Sequence, residues 1–311
     1  MLLPTRRERI SRMRASMTFG WGEFYSLACA LAWAIAVILF KKSGESLAPV
    51  PLNLFKNVVG LVLMLLTLAV ASGPARPGIP AAAVALALFS GFLGIGVGDT
   101  LYFRSLNAVG ASRLAVAQTM YSPFVIVLSA LFLGERLNAV QFGGVALVIA
   151  GIVLVSRGPR AAHLDAATLR KGILEAALAV FVMAAGIVIA KPLLERYDFL
   201  WIVTLRIVGG TLGLLLFMAW RRKGPSLREA FAGVKHWPHV IAGSITGTYI
   251  SMLLWLAGYK YTQASIASVL NEMAAVFILA LAALFLRDRL KPAQLAGSGV
   301  AVAGVLLVVW R

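Results

Sequence analysis

Apolar runs long enough to cross a bilayer follow one another along almost the whole chain, parted only by short polar breaks. A helix needs about 20 predominantly apolar residues to cross the hydrocarbon core. The runs at 22–40, 50–71, 80–103, 111–133, 138–156, 172–190, 198–220, 237–257, 264–286 and 292–310 have that length. Breaks such as KKSGES, ASGPARPG, SRGPR and RRKGPS separate them. Backbone facing lipid must satisfy its own polar groups, so a span is either a helix or a strand of a closed barrel. Barrel strands alternate polar and apolar residues, whereas these runs are continuously apolar. The expectation is an all-α integral membrane protein with ten transmembrane helices.

Composition closes the soluble alternatives. With 60% of 311 residues hydrophobic and 13% charged, a globule in water could not hide its apolar surplus. The net charge of +17 would point to nucleic acid in a soluble protein. Here Lys and Arg gather at the ends of the apolar runs, where lipid headgroups attract them. Membrane lipids are therefore the expected partners, and nucleic acid is not. Residues 1–18 form a basic lead with no apolar core before Phe19, so it is not by itself a signal peptide. Cys29 stands alone among the cysteines, and no His/Cys cluster has metal-ligand spacing, so neither a metal nor a cofactor is expected. The phosphate-binding G-x-x-x-x-G-K-[ST] loop, H-E-x-x-H and G-x-S-x-G are all missing from the sequence. That argues against an ATP-driven pump and against an enzyme.

The chain also repeats itself. LFLGERLNAVQFGG, 131–144, returns 153 residues later as LFLRDRLKPAQLAG, 284–297. At an offset of 150, Gly22 meets Gly172, Lys56 meets Arg206 and Gly60 meets Gly210. Two units follow, 19–158 and 159–311, with five runs each. Five is odd, so the second unit enters the membrane in the opposite sense from the first. Inverted repeats are a recurrent plan of secondary transporters, with the path at the seam between units; a duplication that merely builds a stable bundle is the plainer alternative. Arg6, Arg7, Arg9, Arg12 and Arg14 place the N-terminus in the cytoplasm by the positive-inside tendency. The loop with Arg221, Arg222, Lys223, Arg228 and Lys235 then falls outside and opposes that assignment.

Charges inside the runs narrow the site. Each costs roughly 2.5–3.5 kcal/mol on insertion scales and turns toward a cavity or a partner. Lys56 and Asp99 lie near helix ends, Arg206 and Glu272 nearer mid-span. Ser265, Ser268 and Glu272 share one helical face with Asn271 beside it; the first-unit equivalents are Ser112, Ala115 and Thr119, with Gln118. Only the second copy carries an acid. Without a cation, Glu272 can exchange a proton or hold substrate; paired with Arg206, it would lock one conformation. Arg206 suits a carboxylate or phosphate fork, and a structural role at helix-end carbonyls is its competing reading; snorkelling is the plainer one for Lys56. In the eighth run Ser244, Thr248, Ser251 and Trp255 form a mildly polar stripe, with Tyr102 the repeat counterpart of Trp255. GFLGIGVGD, 91–99, serves either tight packing or a bend, and Pro123 kinks the fourth run while its counterpart is Val276.

QTMYSPFVIVLSALFLGERLNAVQFGGVALVIAGIVLV and SVLNEMAAVFILALAALFLRDRLKPAQLAGSGVAVAGVLLV resemble the ends of the two units of EamA-type members of the drug/metabolite transporter superfamily. The resemblance covers nearly the whole chain after the basic lead. It implies ten helices with both termini cytoplasmic, in a bacterial inner (plasma) membrane. It implies a carrier that moves a small organic solute by alternating access, most often outward, with H+ coupling open. It also implies a cavity within the first four helices of each unit, with the fifth peripheral or mediating association. The Glu-Arg of GERL stands as Asp288-Arg289 in the second unit. A non-transporting membrane protein and a flippase for lipid-linked substrates are the competing functions; the oligomeric state is open.

Overall fold

The computed structural model describes residues 19–42, 49–71, 78–109, 118–155, 166–221, 237–286 and 291–310, and among them every regular element is helical. In chain order they are α1 (Trp21–Lys42), α2 (Pro49–Ala71), α3 (Ala81–Gly91), the π-helical segment π1 (Phe92–Gly98) and α4 (Asp99–Val109). Then come α5 (Tyr121–Phe132), α6 (Ala139–Val155), α7 (Ala166–Arg196) and α8 (Phe199–Arg221). The remainder is α9 (Trp237–Ser244), the π-helical π2 (Ile245–Ile250), α10 (Ser251–Tyr261), α11 (Ala264–Asn271), α12 (Ala274–Leu286) and α13 (Pro292–Val309). Eight helical stretches are long and apolar enough to cross a membrane, and α5 and α6 are shorter apolar helices. Residues 111–117 of the expected fourth run lie outside the described residues. The sixth run is longer than expected, 31 residues in α7 instead of 172–190.

The repeat is visible in the irregularities. π1 starts at Phe92 and π2 at Ile245, 153 residues apart. The fourth run of each unit is interrupted by a turn, at Thr119–Met120 and again 153 residues on at Glu272–Met273. Pro123 does not kink a continuous helix: it sits in the first turn of α5, where its missing N–H costs nothing. Val276 stands at the equivalent place, and the second copy is interrupted by a turn without a proline. GFLGIGVGD packs closely against α8 and departs from regular α-helix. Its middle is π-helical, and a Cβ at Gly91 would run into the backbone of Arg206 on α8.

α6 and α13, at repeat-equivalent places, pack on each other. Cβ atoms built at Gly144 and Gly304 would each lie 2.7 Å from the other residue's carbonyl oxygen, and Gly151 meets Gly297 in the same manner. Rising numbers on α6 face falling numbers on α13, so these repeat-related helices run antiparallel about a local two-fold. Small residues permit such approach where lipid offers no hydrophobic drive to associate. Large side chains such as Phe132, Leu216 and Leu284 project outward, exposed.

Candidate functional site

Four charges were expected within the spans, and they separate into one pair and two singles. Lys56 on α2 is buried instead of snorkelling. Its Nζ lies 3.7 Å from Asp99 Oδ2 at the start of α4 and 5.6 Å from the Trp33 ring centre. Arg206, at the repeat-equivalent place on α8, also lies over a tryptophan, 5.9 Å from Trp255. Its counterpart of Asp99 is Met252, so no carboxylate answers it there. Arg206 is fully buried and donates from Nη1 to Ser90 Oγ at 2.6 Å and to the Gly186 carbonyl at 2.9 Å. Nε and Nη2 have no hydrogen-bond partner among the described residues.

Glu272 does not lie within a continuous helix. It is the residue at which α11 ends, and it accepts a hydrogen bond from Ser122 Oγ of the first unit at 3.1 Å. Among the described residues it makes no ion pair, with Arg206 or any other cation. Between the two single charges stands a tyrosine pair, Tyr121 and Tyr259, with hydroxyls 2.9 Å apart. Tyr121 precedes Ser122, and Tyr259 meets the Trp255 ring edge-on at 5.4 Å. A chain of contacts thus leads from Arg206 through Trp255 and Tyr259 into the first unit at Tyr121 and Ser122, and back to Glu272 of the second.

The remaining expected residues surround this chain. Tyr102 donates to Gln118 Oε1 at 2.7 Å, and buried Thr119 occupies the turn equivalent to Glu272. Ser268 is buried and donates to the Ser265 carbonyl. Asn271 donates to the Ala267 carbonyl at 2.8 Å, and among the described residues its Oδ1 has no partner, nor have the hydroxyls of Thr248 and Ser251. Ser112 and Ala115 lie outside the described residues. Among the described residues no cluster of His, Cys, Asp or Glu could hold a metal. Sequence reasoning missed Tyr121, Tyr259, Ser90 and Ser122. A tyrosine in an apolar run reads as packing until its hydroxyl is seen to have a partner. It missed Glu135 and Lys191 too.

The helices are those of a multi-pass membrane protein, and a family model matches the chain twice. The model of the EamA-like transporter family matches residues 20–157 and again 170–310; the chain belongs to this family. A probable terminal-alkyne amino-acid exporter of Streptantibioticus cattleyicolor is 26% identical over 272 residues, 81% of this chain and 84% of that protein. An uncharacterized transporter of Archaeoglobus fulgidus is 25% identical over 68% of this chain and 74% of its own length. An uncharacterized transporter of a Sinorhizobium species is 28% identical over 141 residues, 45% of this chain but 99% of that protein. A solved structure superposes with a TM-score of 0.74 over 92% of this chain and 95% of its own, at 18% identity, which shows a shared fold.

Proposed function

We propose that this membrane transporter is a secondary carrier of a small organic solute, built as ten spans in two oppositely inserted five-helix units. Both termini lie on the cytoplasmic side of the plasma membrane, and the solute moves outward by alternating access. The observation that carries the reading is the pair of repeat-related interruptions, at Thr119–Met120 and Glu272–Met273. Interrupted helices at a repeat seam free backbone groups and let short segments move against the rest. Export is favoured by the name of the Streptantibioticus relative.

Arg206 takes the anionic group of the solute, because its Nε and Nη2 are buried donors without acceptors among the described residues, and a buried unanswered cation is costly. Trp255 lies against Arg206, and Thr248, Ser251 and Asn271 offer buried polar atoms with no hydrogen-bond partner among the described residues. Lys56–Asp99 and Tyr102–Gln118 complete the first-unit side with Thr119, and Ser268 borders Glu272. Glu272, held by a hydroxyl and no cation, exchanges the coupled proton. Purified protein in liposomes, offered a panel of carboxylate-bearing solutes with and without an imposed pH gradient, tests this. Saturable flux is expected. Glu272→Gln is expected to remove its gradient-driven part while the protein stays folded. Flux no greater than in protein-free liposomes for every solute overturns the carrier reading, and unchanged gradient dependence in Glu272→Gln overturns the role of Glu272.

A further inference from the structure

A second cluster of charges lies where the chain leaves α5. Gly134 takes φ 70°, a left-handed conformation that glycine adopts at no steric cost. Leu133 and Glu135 both donate their N–H to the Ser129 carbonyl, at 2.9 and 3.3 Å. The turn sends the Glu135 side chain across to the second unit. There Oε1 accepts from the Ala264 N–H at 2.7 Å and Oε2 from the Ser265 N–H at 3.0 Å, and Ser265 Oγ donates to Oε2 as well. These are N–H groups that a helix start leaves without intrahelical partners, and Gln263, the residue before α11, gives no side-chain cap of its own. The first turn of α11 is therefore capped from the other unit.

Lys191 locks the same corner. Its Nζ donates to the Tyr259 carbonyl, the Thr262 carbonyl and Glu195 Oε1, each at 2.8 Å, and lies 3.9 Å from Glu135 Oε1. On one side of this clamp is a cleft of about 840 Å³, lined by Glu135, Lys191, Glu195, Lys260 and Thr262 among others. α11 borders the cleft through Ile266, is buried from Ala264 to Leu270 and ends at Glu272.

We propose that Glu135, Ser265 and Lys191 form the gate closing this end of the path, and that the cleft is the vestibule through which solute reaches it. The proposal rests on the carrier reading above. The two units cannot part at this corner without breaking the Glu135 cap, and water from the cleft can replace the carboxylate at the freed N–H groups, so opening strands no backbone donor. α11 is eight residues long. Release at its N-terminus thus acts within about two turns on Glu272 at the other end, linking the gate to the seam.

The test is cysteine labelling of the full-length protein in lipid nanodiscs, with Cys29→Ser as background. The reporter is Ser268→Cys, on buried α11, and the probe is a membrane-impermeant maleimide. Losing a helix cap shifts a two-state population by about fivefold. Glu135→Ala is expected to raise the Ser268→Cys labelling rate about fivefold or more. Glu135→Gln, which still offers one acceptor, is expected to fall between it and the parent. A control reporter, Ala184→Cys, in the buried core, is expected to stay protected in all backgrounds. An unchanged Ser268→Cys rate in folded, monodisperse Glu135→Ala overturns the gate. So does a rise shared equally by Ala184→Cys, since that reports general loosening. Where Glu135→Ala fails to fold, an unchanged rate in Glu135→Gln overturns it equally. Labelling requires no flux, so a gate that fails and a carrier that fails are distinguished.

Discussion

One methyl group at Gly144 is predicted to cost far more than the same methyl one residue earlier. A Cβ at Gly144 would lie 2.7 Å from the Gly304 oxygen and the Val308 nitrogen, and 2.8 Å from Val308 Cγ2, whereas at Gly143 nothing lies within 4 Å. Ordinary contact begins near 3.4 Å, so α13 has to retreat from 2.7 to 3.4 Å, by about 0.7 Å. A gap of that size forfeits roughly a quarter to a half of each neighbouring dispersion contact. Overpacking of this kind costs about 1–3 kcal/mol. The gain in helix propensity from Gly to Ala is common to both sites, so the difference between Gly144→Ala and Gly143→Ala isolates the packing. Reversible unfolding by SDS in mixed micelles measures it. Gly304→Ala, the other side of the two-fold contact, is expected to cost a similar amount. The double variant is expected to cost less than the sum, because helices already apart admit the second methyl. A Gly144→Ala value within about 0.5 kcal/mol of Gly143→Ala, the ordinary range for substitutions that touch nothing, refutes the antiparallel close packing.

Two further predictions concern the buried charges. Asp99→Leu leaves Lys56 buried without its carboxylate and is expected to destabilise the protein by roughly 3–5 kcal/mol, with Lys56→Met in the same chain restoring most of it; an additive double variant contradicts the pairing. Arg206→Gln retains a donor for Ser90 and Gly186 but loses the charge. It is expected to weaken apparent solute affinity in liposome flux roughly 10- to 100-fold, with Arg206→Lys between it and the parent, and an unchanged apparent affinity contradicts contact with the solute.

The all-helical membrane architecture was legible in the sequence because hydropathy acts over twenty residues at a time and leaves a continuous run little choice. The repeat was legible too, down to Lys56 and Arg206 at matching places. What one linear pattern could not carry was the pairing of charges across elements. Asp99 answers Lys56 on another helix, while Met252 stands where an acid would answer Arg206, and the offset shows this only once the contact in the first unit is known. The interruption at Glu272 was hidden for a similar reason. No proline marks it, and Pro123 reads as a kink in a continuous run although it sits in the first turn of a restarted helix. Glu135 looked like an ordinary loop acid in GERL, since its partners at Ala264 and Ser265 lie 129 and 130 residues away.

Opposite insertion of the two units is tested most directly at Asn138 and Lys291, equivalent residues that are both exposed and that precede α6 and α13. A cysteine placed at either position, in the Cys29→Ser background, can be labelled with an impermeant maleimide in sealed vesicles of known orientation. One position is predicted to react only from the cytoplasmic face and the other only from the opposite face. Reaction of both from the same face contradicts the inverted arrangement, and with it the seam on which Arg206 and Glu272 were placed.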